Sequence, residues 1–279
     1  MRATTPGAGW DRRRLLVFLS VVAAAGVLLL AGFAYAVRLA WADAATGARA
    51  PETARPDAGV GGPASSWPAS GPSRREVIAA APMLDVDPLD ARPLAPATQA
   101  APTITIPSAT RTGAGGVASG FPHSPEGAVG QLAAITGTVL GQMSIAGAGE
   151  VYRAWAMPGG VGAPAWVLTG NVRTFLGAAG QGPAKDLTTV VAVRPVAAQI
   201  KGSDGPDWTL ACVLLDVEAT ITTRARIAYG HCERMQWAGS GWMIAPGPAP
   251  ARAPSTWPGS AVAIQAGWRT WTPLPAGQA

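Results

Sequence analysis

Residues Leu15 to Val37, LLVFLSVVAAAGVLLLAGFAYAV, contain no charged side chain. As a helix rising about 1.5 Å per residue the run spans roughly 35 Å, enough to cross a hydrocarbon core of about 30 Å. Arg12, Arg13 and Arg14 precede it directly. Positive charge is retained on the cytoplasmic side, so the expected topology is a cytoplasmic N-terminus over 1–14, a transmembrane helix over 15–37 and the rest of the chain outside. Tyr35 and Trp41 fall where interfacial aromatics are favoured. A cleaved signal peptide is the alternative, because Ala34-Tyr35-Ala36 and Ala40-Trp41-Ala42 fit a small-x-small cleavage pattern. The run exceeds the usual apolar core of a signal peptide, which favours an uncleaved, single-pass anchor in the cell membrane. Under either reading the C-terminal domain is extracytoplasmic.

The chain has 35 Gly and 26 Pro, so a long stretch of it is expected not to pack. That stretch is 38–119, where hydrophobic periodicity vanishes and prolines alternate with Ala, Gly, Ser and Thr. Such a segment buries too little apolar surface to offset its ordering entropy and reads as a flexible Pro/Ala-rich linker. Arg74 to Met83 (RREVIAAAPM) is the one part of it with helical character. The formal charge of +5 is spread thinly, without a basic stripe or arginines interleaved with aromatics. No direct nucleic-acid partner is therefore expected.

From 120 to 279 the pattern is that of an α+β domain. Ser124 is a good N-cap, Pro125 suits the first helical position and Glu126 complements the helix dipole. Val129, Leu132, Ile135, Val139 and Leu140 continue that helix at helical spacing. A second helix carries Val151 to Trp155 and a third runs from about Pro164 to Gly177. Strands follow over Leu187–Ala198, Trp208–Ile221, Arg224–Trp237 and Trp242–Ala245. The second of these is apolar on both faces and reads as central. The expected architecture is three helices followed by a four-stranded antiparallel sheet, with the helices on one sheet face. Trp257, Trp268 and Trp271 lie in the last segment, either packed back on the domain or available as candidate interface residues, since Trp is enriched at binding hot spots.

Cys212 and Cys232 are the only cysteines. A hairpin centred on Thr222 sets Cys212 opposite Cys232 and Glu218 opposite Arg226, which predicts a disulfide and a favourable cross-strand charge pair. No metal site is expected, because His123 and His231 are the only imidazoles and neither has ligand spacing. His231 adjoins Cys232, but neighbouring strand residues point to opposite faces, so the two diverge. Asp216 and Glu218 share a strand face at the spacing of a carboxylate pair, yet read more simply as the polar end of a strand. His123 reads as a loop residue near a helix start. No recognised catalytic or nucleotide-binding motif occurs, so neither enzyme activity nor a cofactor is expected. Were the domain an enzyme, Asp216 and His231 would be its first candidates.

The segments GFPHSPEGAVGQLAAI (120–135), EVYRAWAMPGG (150–160), DGPDWTLACVLLDVEATI (204–221), ARIAYGHCERMQWAGSGWMIAPG (225–247) and PSTWPGSAVAIQAGWRTW (254–271) resemble an actinobacterial family of integral membrane proteins carried on integrative and conjugative elements. The order of anchor, linker and domain is similar to TcpC-like scaffold proteins of conjugation and type IV secretion systems, whose domain is a nuclear transport factor 2-like cone. The resemblance implies such a cone here. It also implies a structural role in a conjugative transfer apparatus, with other membrane and transfer proteins, or a second copy of the chain, as partners. TcpC-like proteins carry two such domains and this chain has room for one. The alternative is a module binding a small molecule or a cell-envelope component in a pocket between helices and sheet.

Overall fold

The computed structural model describes residues 72–274. The segments 1–14 and 15–37 lie outside them. Among the described residues no helix is long and apolar enough to cross a membrane. A single-pass membrane localisation, and the membrane and conjugation role read from it, thus find no support in the described residues.

The nuclear transport factor 2-like cone is not what forms. The core is a six-stranded mixed sheet. Its centre is an antiparallel set made by β4 (Val190–Ser203), β5 (Trp208–Thr220), β6 (Arg224–Trp237) and the short β7 (Trp242–Ile244). Two further strands extend it past β4. These are β8 (Arg269–Pro273), antiparallel to β4, and β1 (Thr103–Ile106), parallel to β8. A separate two-stranded ladder joins β2 (Arg111–Thr112) and β3 (Ala118–Ser119). The sheet widens beyond four strands because Ile104 and Ile106 alternate with exposed threonines and bury their side chains in the main core.

Residues 72–119, read from composition as linker, are therefore built into the fold. Helix α1 (Arg74–Ala80) starts at a reciprocal capping box, in which Ser73 caps the Glu76 amide and Glu76 caps the Ser73 amide. Met83 and Leu84, just beyond it, pack against the cluster that contains the two cysteines, Met83 Sδ lying 3.7 Å from Cys232 Sγ.

Helices α2 (Pro125–Gln142), α3 (Ile145–Trp155) and α4 (Val167–Ala178) cover one sheet face. The cap at Ser124 forms as expected, accepting from the Gly127 amide at 3.1 Å. Leu132, Ile135 and Val139 of α2 meet Ala211, Val213 and Leu215 of β5. Alternate residues of β5 point to the other face. There Cys212 and Leu214 meet Ala228, Trp268 and the short helix α5 (Ala261–Gln265), while Trp208 and Leu210 pack with Ala79 of α1. With layers on both faces, β5 is buried along most of its length.

The hairpin register is the one derived from the sequence. Cys212 lies opposite Cys232 with Cα atoms 4.0 Å apart, and the two form a disulfide. Glu218 lies opposite Arg226, but the ion pairs run diagonally. Arg226 grips Asp216, and Arg224 takes Glu218.

A candidate binding pocket beside strand β6

Successive side chains of β6 alternate between the sheet faces, so Tyr229, His231 and Glu233 all project towards the helices. They meet Asn171 of α4 and Trp166, which precedes that helix, and form one continuous chain of polar contacts. Asn171 Nδ2 donates to Tyr229 Oη at 2.7 Å, and Tyr229 Oη lies 3.4 Å from His231 Nδ1. His231 Nε2 lies 3.1 Å from Glu233 Oε1, which also accepts from Trp166 Nε1 at 2.8 Å. An ionised glutamate can only accept, so His231 Nε2 carries a proton. A neutral ring of that tautomer accepts at Nδ1, the nitrogen that faces the Tyr229 hydroxyl. Burial holds the Tyr229 phenol protonated well above its usual range.

These groups line one side of a cavity of about 410 Å³. Its other wall is the segment from Ala245 to Ser255. That segment leaves β6 at Arg234, whose carbonyl accepts from the Ala245 amide at 2.7 Å, and returns at Gly230, whose amide donates to Ser255 Oγ at 3.0 Å. The return needs glycine. A Cβ at position 230 would stand 2.6 Å from the Pro254 carbonyl oxygen.

Arg234 belongs to the opposite parity of β6, yet lines the same cavity because the cavity wraps the strand's edge. It is 6% exposed. Its Nε donates to the Pro248 carbonyl at 2.9 Å, and the guanidinium packs against Gly247, whose φ of +131° suits glycine alone. Among the described residues it has no ion-pair partner and no second hydrogen bond. Burial pulls its pKa below the usual arginine value. Arg252, exposed on the rim, likewise has no ion-pair partner among the described residues.

The residues singled out from the sequence are distributed differently. Of them, His231 and Cys232 line this pocket. The two point to opposite faces, and Cys232 is held in the disulfide. Asp216 is neutralised by Arg226 and Arg194, and Glu218 by Arg224. His123 stacks on Trp237 at 4.4 Å and pairs with Asp207 at 2.8 Å. Trp268 is buried, donating from Nε1 to the Pro254 carbonyl. Trp257 packs partly buried beside the disulfide under Arg226, and Trp271 packs partly buried on the helix-side core. Among the described residues no group of three His, Cys, Asp or Glu side chains could hold a metal ion. Sequence reasoning missed Tyr229, Glu233 and Arg234. The alternation Tyr229-x-His231-x-Glu233 on a strand was the available signal.

No family model, curated protein or solved structure matches this chain.

Proposed function

We propose that the described domain is a recognition module whose pocket beside β6 takes a small anionic organic ligand. The observation that carries this reading is Arg234, a buried cation that lines a cavity of ligand size and has no described carboxylate in ion-pair contact. Its nearest charge support comes at longer range, from Glu76 and Glu233. A buried charge is costly unless something pairs with it, and a ligand anion can be that partner. The cavity falls within the ~300–1,000 Å³ typical of small-molecule sites. Arg252 on its rim adds a second positive charge and attracts the same class of ligand.

Binding is favoured over catalysis because both ring nitrogens of His231 face polar side chains of the protein, Tyr229 and Glu233. The scaffold role implied by the resemblance rested on topology, tether and family likeness, on which the pocket does not bear; a pocket lined by polar groups supports the binding alternative.

The test uses the full-length protein and its Arg234→Met variant, followed by thermal unfolding and calorimetric titration with acetate, succinate, N-acetylglycine and inorganic phosphate. At least one of these should bind the wild type and raise its Tm, and Arg234→Met should bind none. Without ligand the variant should be about as stable as the wild type or more so, because an apolar side chain replaces a buried cation whose only hydrogen bond is to a carbonyl. If no anion binds and Arg234→Met loses stability, Arg234 is a structural residue and the reading is wrong.

A further inference from the structure

Within the ligand-pocket reading just given, on which this inference rests, the main chain of β6 narrows the ligand class. The 4.0 Å Cα separation of Cys212 and Cys232 marks them as a close, non-hydrogen-bonded pair of an antiparallel ladder. In such a pair the N–H and C=O of each residue point away from the partner strand. The Cys232 N–H and C=O therefore face the outer edge of β6. The flanking residues of the same parity show the same direction, since Gly230 N–H and Arg234 C=O are both satisfied on that side by the 245–255 segment. Strand β7 pairs with β6 only over Met235–Trp237, so it does not reach Cys232.

Cys232 thus sits in the gap between the two points where that segment touches the edge. It is 5% exposed, it lines the cavity, and no described residue hydrogen-bonds its amide or carbonyl. A buried main-chain donor and acceptor on one strand edge match an extended peptide running parallel to β6, whose carbonyl before the residue opposite Cys232 accepts from the Cys232 N–H and whose amide after that residue donates to the Cys232 carbonyl. Two residues along the strand, Arg234 supplies the unpaired cation.

We infer that the pocket binds the carboxyl end of a short free peptide lying parallel to β6, its last amide donating to the Cys232 carbonyl, the carbonyl before the residue opposite Cys232 accepting from the Cys232 N–H, and the terminal carboxylate meeting Arg234. The cavity of about 410 Å³ limits the occupant to a di- or tripeptide.

The experiment is calorimetric titration of the full-length protein with N-acetyl-Ala-Ala, its C-terminal carboxamide, its analogue N-methylated at the last amide, an octapeptide with the same end, and succinate. N-acetyl-Ala-Ala should bind. The carboxamide should bind about 10- to 100-fold more weakly through loss of a charged hydrogen bond, and the N-methyl analogue up to about tenfold more weakly. The octapeptide should bind more weakly than the dipeptide. In spectra of isotopically labelled protein, the Cys232 amide resonance should shift with N-acetyl-Ala-Ala but not with the N-methyl analogue. If succinate binds but N-methylation changes nothing, the anion pocket stands and pairing to the strand edge is overturned. Equal binding of the carboxamide overturns the carboxylate contact, and equal binding of the octapeptide overturns the restriction to short peptides. Should neither the peptides nor succinate bind, the pocket reading falls together with this inference.

Discussion

Arg226 and Arg234 lie on the same strand and point to the same face, yet live in opposite circumstances. Arg226 makes two hydrogen bonds to Asp216, at 2.7 and 2.5 Å, and its guanidinium lies 4.9 Å from the centre of the Trp257 ring. Its side chain remains 38% exposed. Arg234 is nearly inaccessible and makes one hydrogen bond, to a carbonyl. A cation that keeps its water and has a bidentate carboxylate needs nothing more. One stripped of water and given a single neutral acceptor is left with donor capacity that the fold does not use. The contrast separates a cation held by a carboxylate from one whose only hydrogen bond is to a carbonyl.

The disulfide lies between the two arginines, and its removal is the largest perturbation that tests whether the two ends are independent. Its cysteines are 20 residues apart, so Cys212→Ala/Cys232→Ala should cost about 3 kcal/mol of unfolding free energy on loop entropy. Denaturant unfolding measures this. The Arg226 end carries its own ion pairs and should persist, whereas the edge at Cys232 should loosen, so ligand affinity should fall further than stability alone requires. A variant that loses stability but keeps full affinity would show the pocket does not depend on the covalent link.

Asp216 comes next. It is 2% exposed and serves both Arg226 and Arg194. Asp216→Ala should cost about 2 kcal/mol, less than the ~3–5 kcal/mol of a fully buried pair because both guanidiniums reach solvent. The hydrogen bond from Arg226, followed by that from Arg194 and their charges, holds the Asp216 carboxyl below its usual value of 3.8, against the opposing effect of burial. A carboxylate with a lowered folded pKa contributes stability above its unfolded pKa and loses it as pH falls through the folded one. The stability gap between wild type and Asp216→Asn should therefore be constant from neutral pH down to about 4 and close below it. A gap that does not narrow in acid would mean the carboxylate's charge is not what stabilises this end.

The two ends also differ in how far the sequence exposed them. Pairing along β5 and β6 follows from a single turn, so Cys212, Cys232, Glu218 and Arg226 could be set opposite one another without a structure. The outer strands could not. Thr103 pairs with Thr270 across most of the domain, and β1 is four residues of Thr and Ile inside a Pro/Ala-rich stretch that composition assigns to linker. Arg234 was hidden for the same reason. On a bare hairpin it is an ordinary edge cation. It becomes buried only when Ala245–Ser255 folds back over the edge, and that path is held by Gly230, Ser255 and Pro248 rather than by any periodic pattern. His231 could be paired with Cys232 in sequence but not with Glu233 and Trp166, because the tryptophan arrives from another layer.

Trp257 offers the smallest and most discriminating change. From the sequence it was a candidate interface residue, and at an interface Trp257→Ala would leave the Tm of the isolated chain unchanged. In the fold its ring lies under Arg226, it packs on the cluster around the disulfide, and its amide donates to the Asp90 carbonyl. Trp257→Ala should therefore cost about 1 kcal/mol, a cation–π contact plus part of a buried face, and lower Tm by about 2–4 °C. Trp257 and Asp216 share Arg226, so their losses should not add. With Asp216 gone the guanidinium is no longer held over the ring, and the second mutation should cost measurably less. Arg234 has no contact with either residue, so Trp257→Ala and Arg234→Met should combine additively. Strong coupling between those two would dissolve the distinction between a completed and an uncompleted end of the strand.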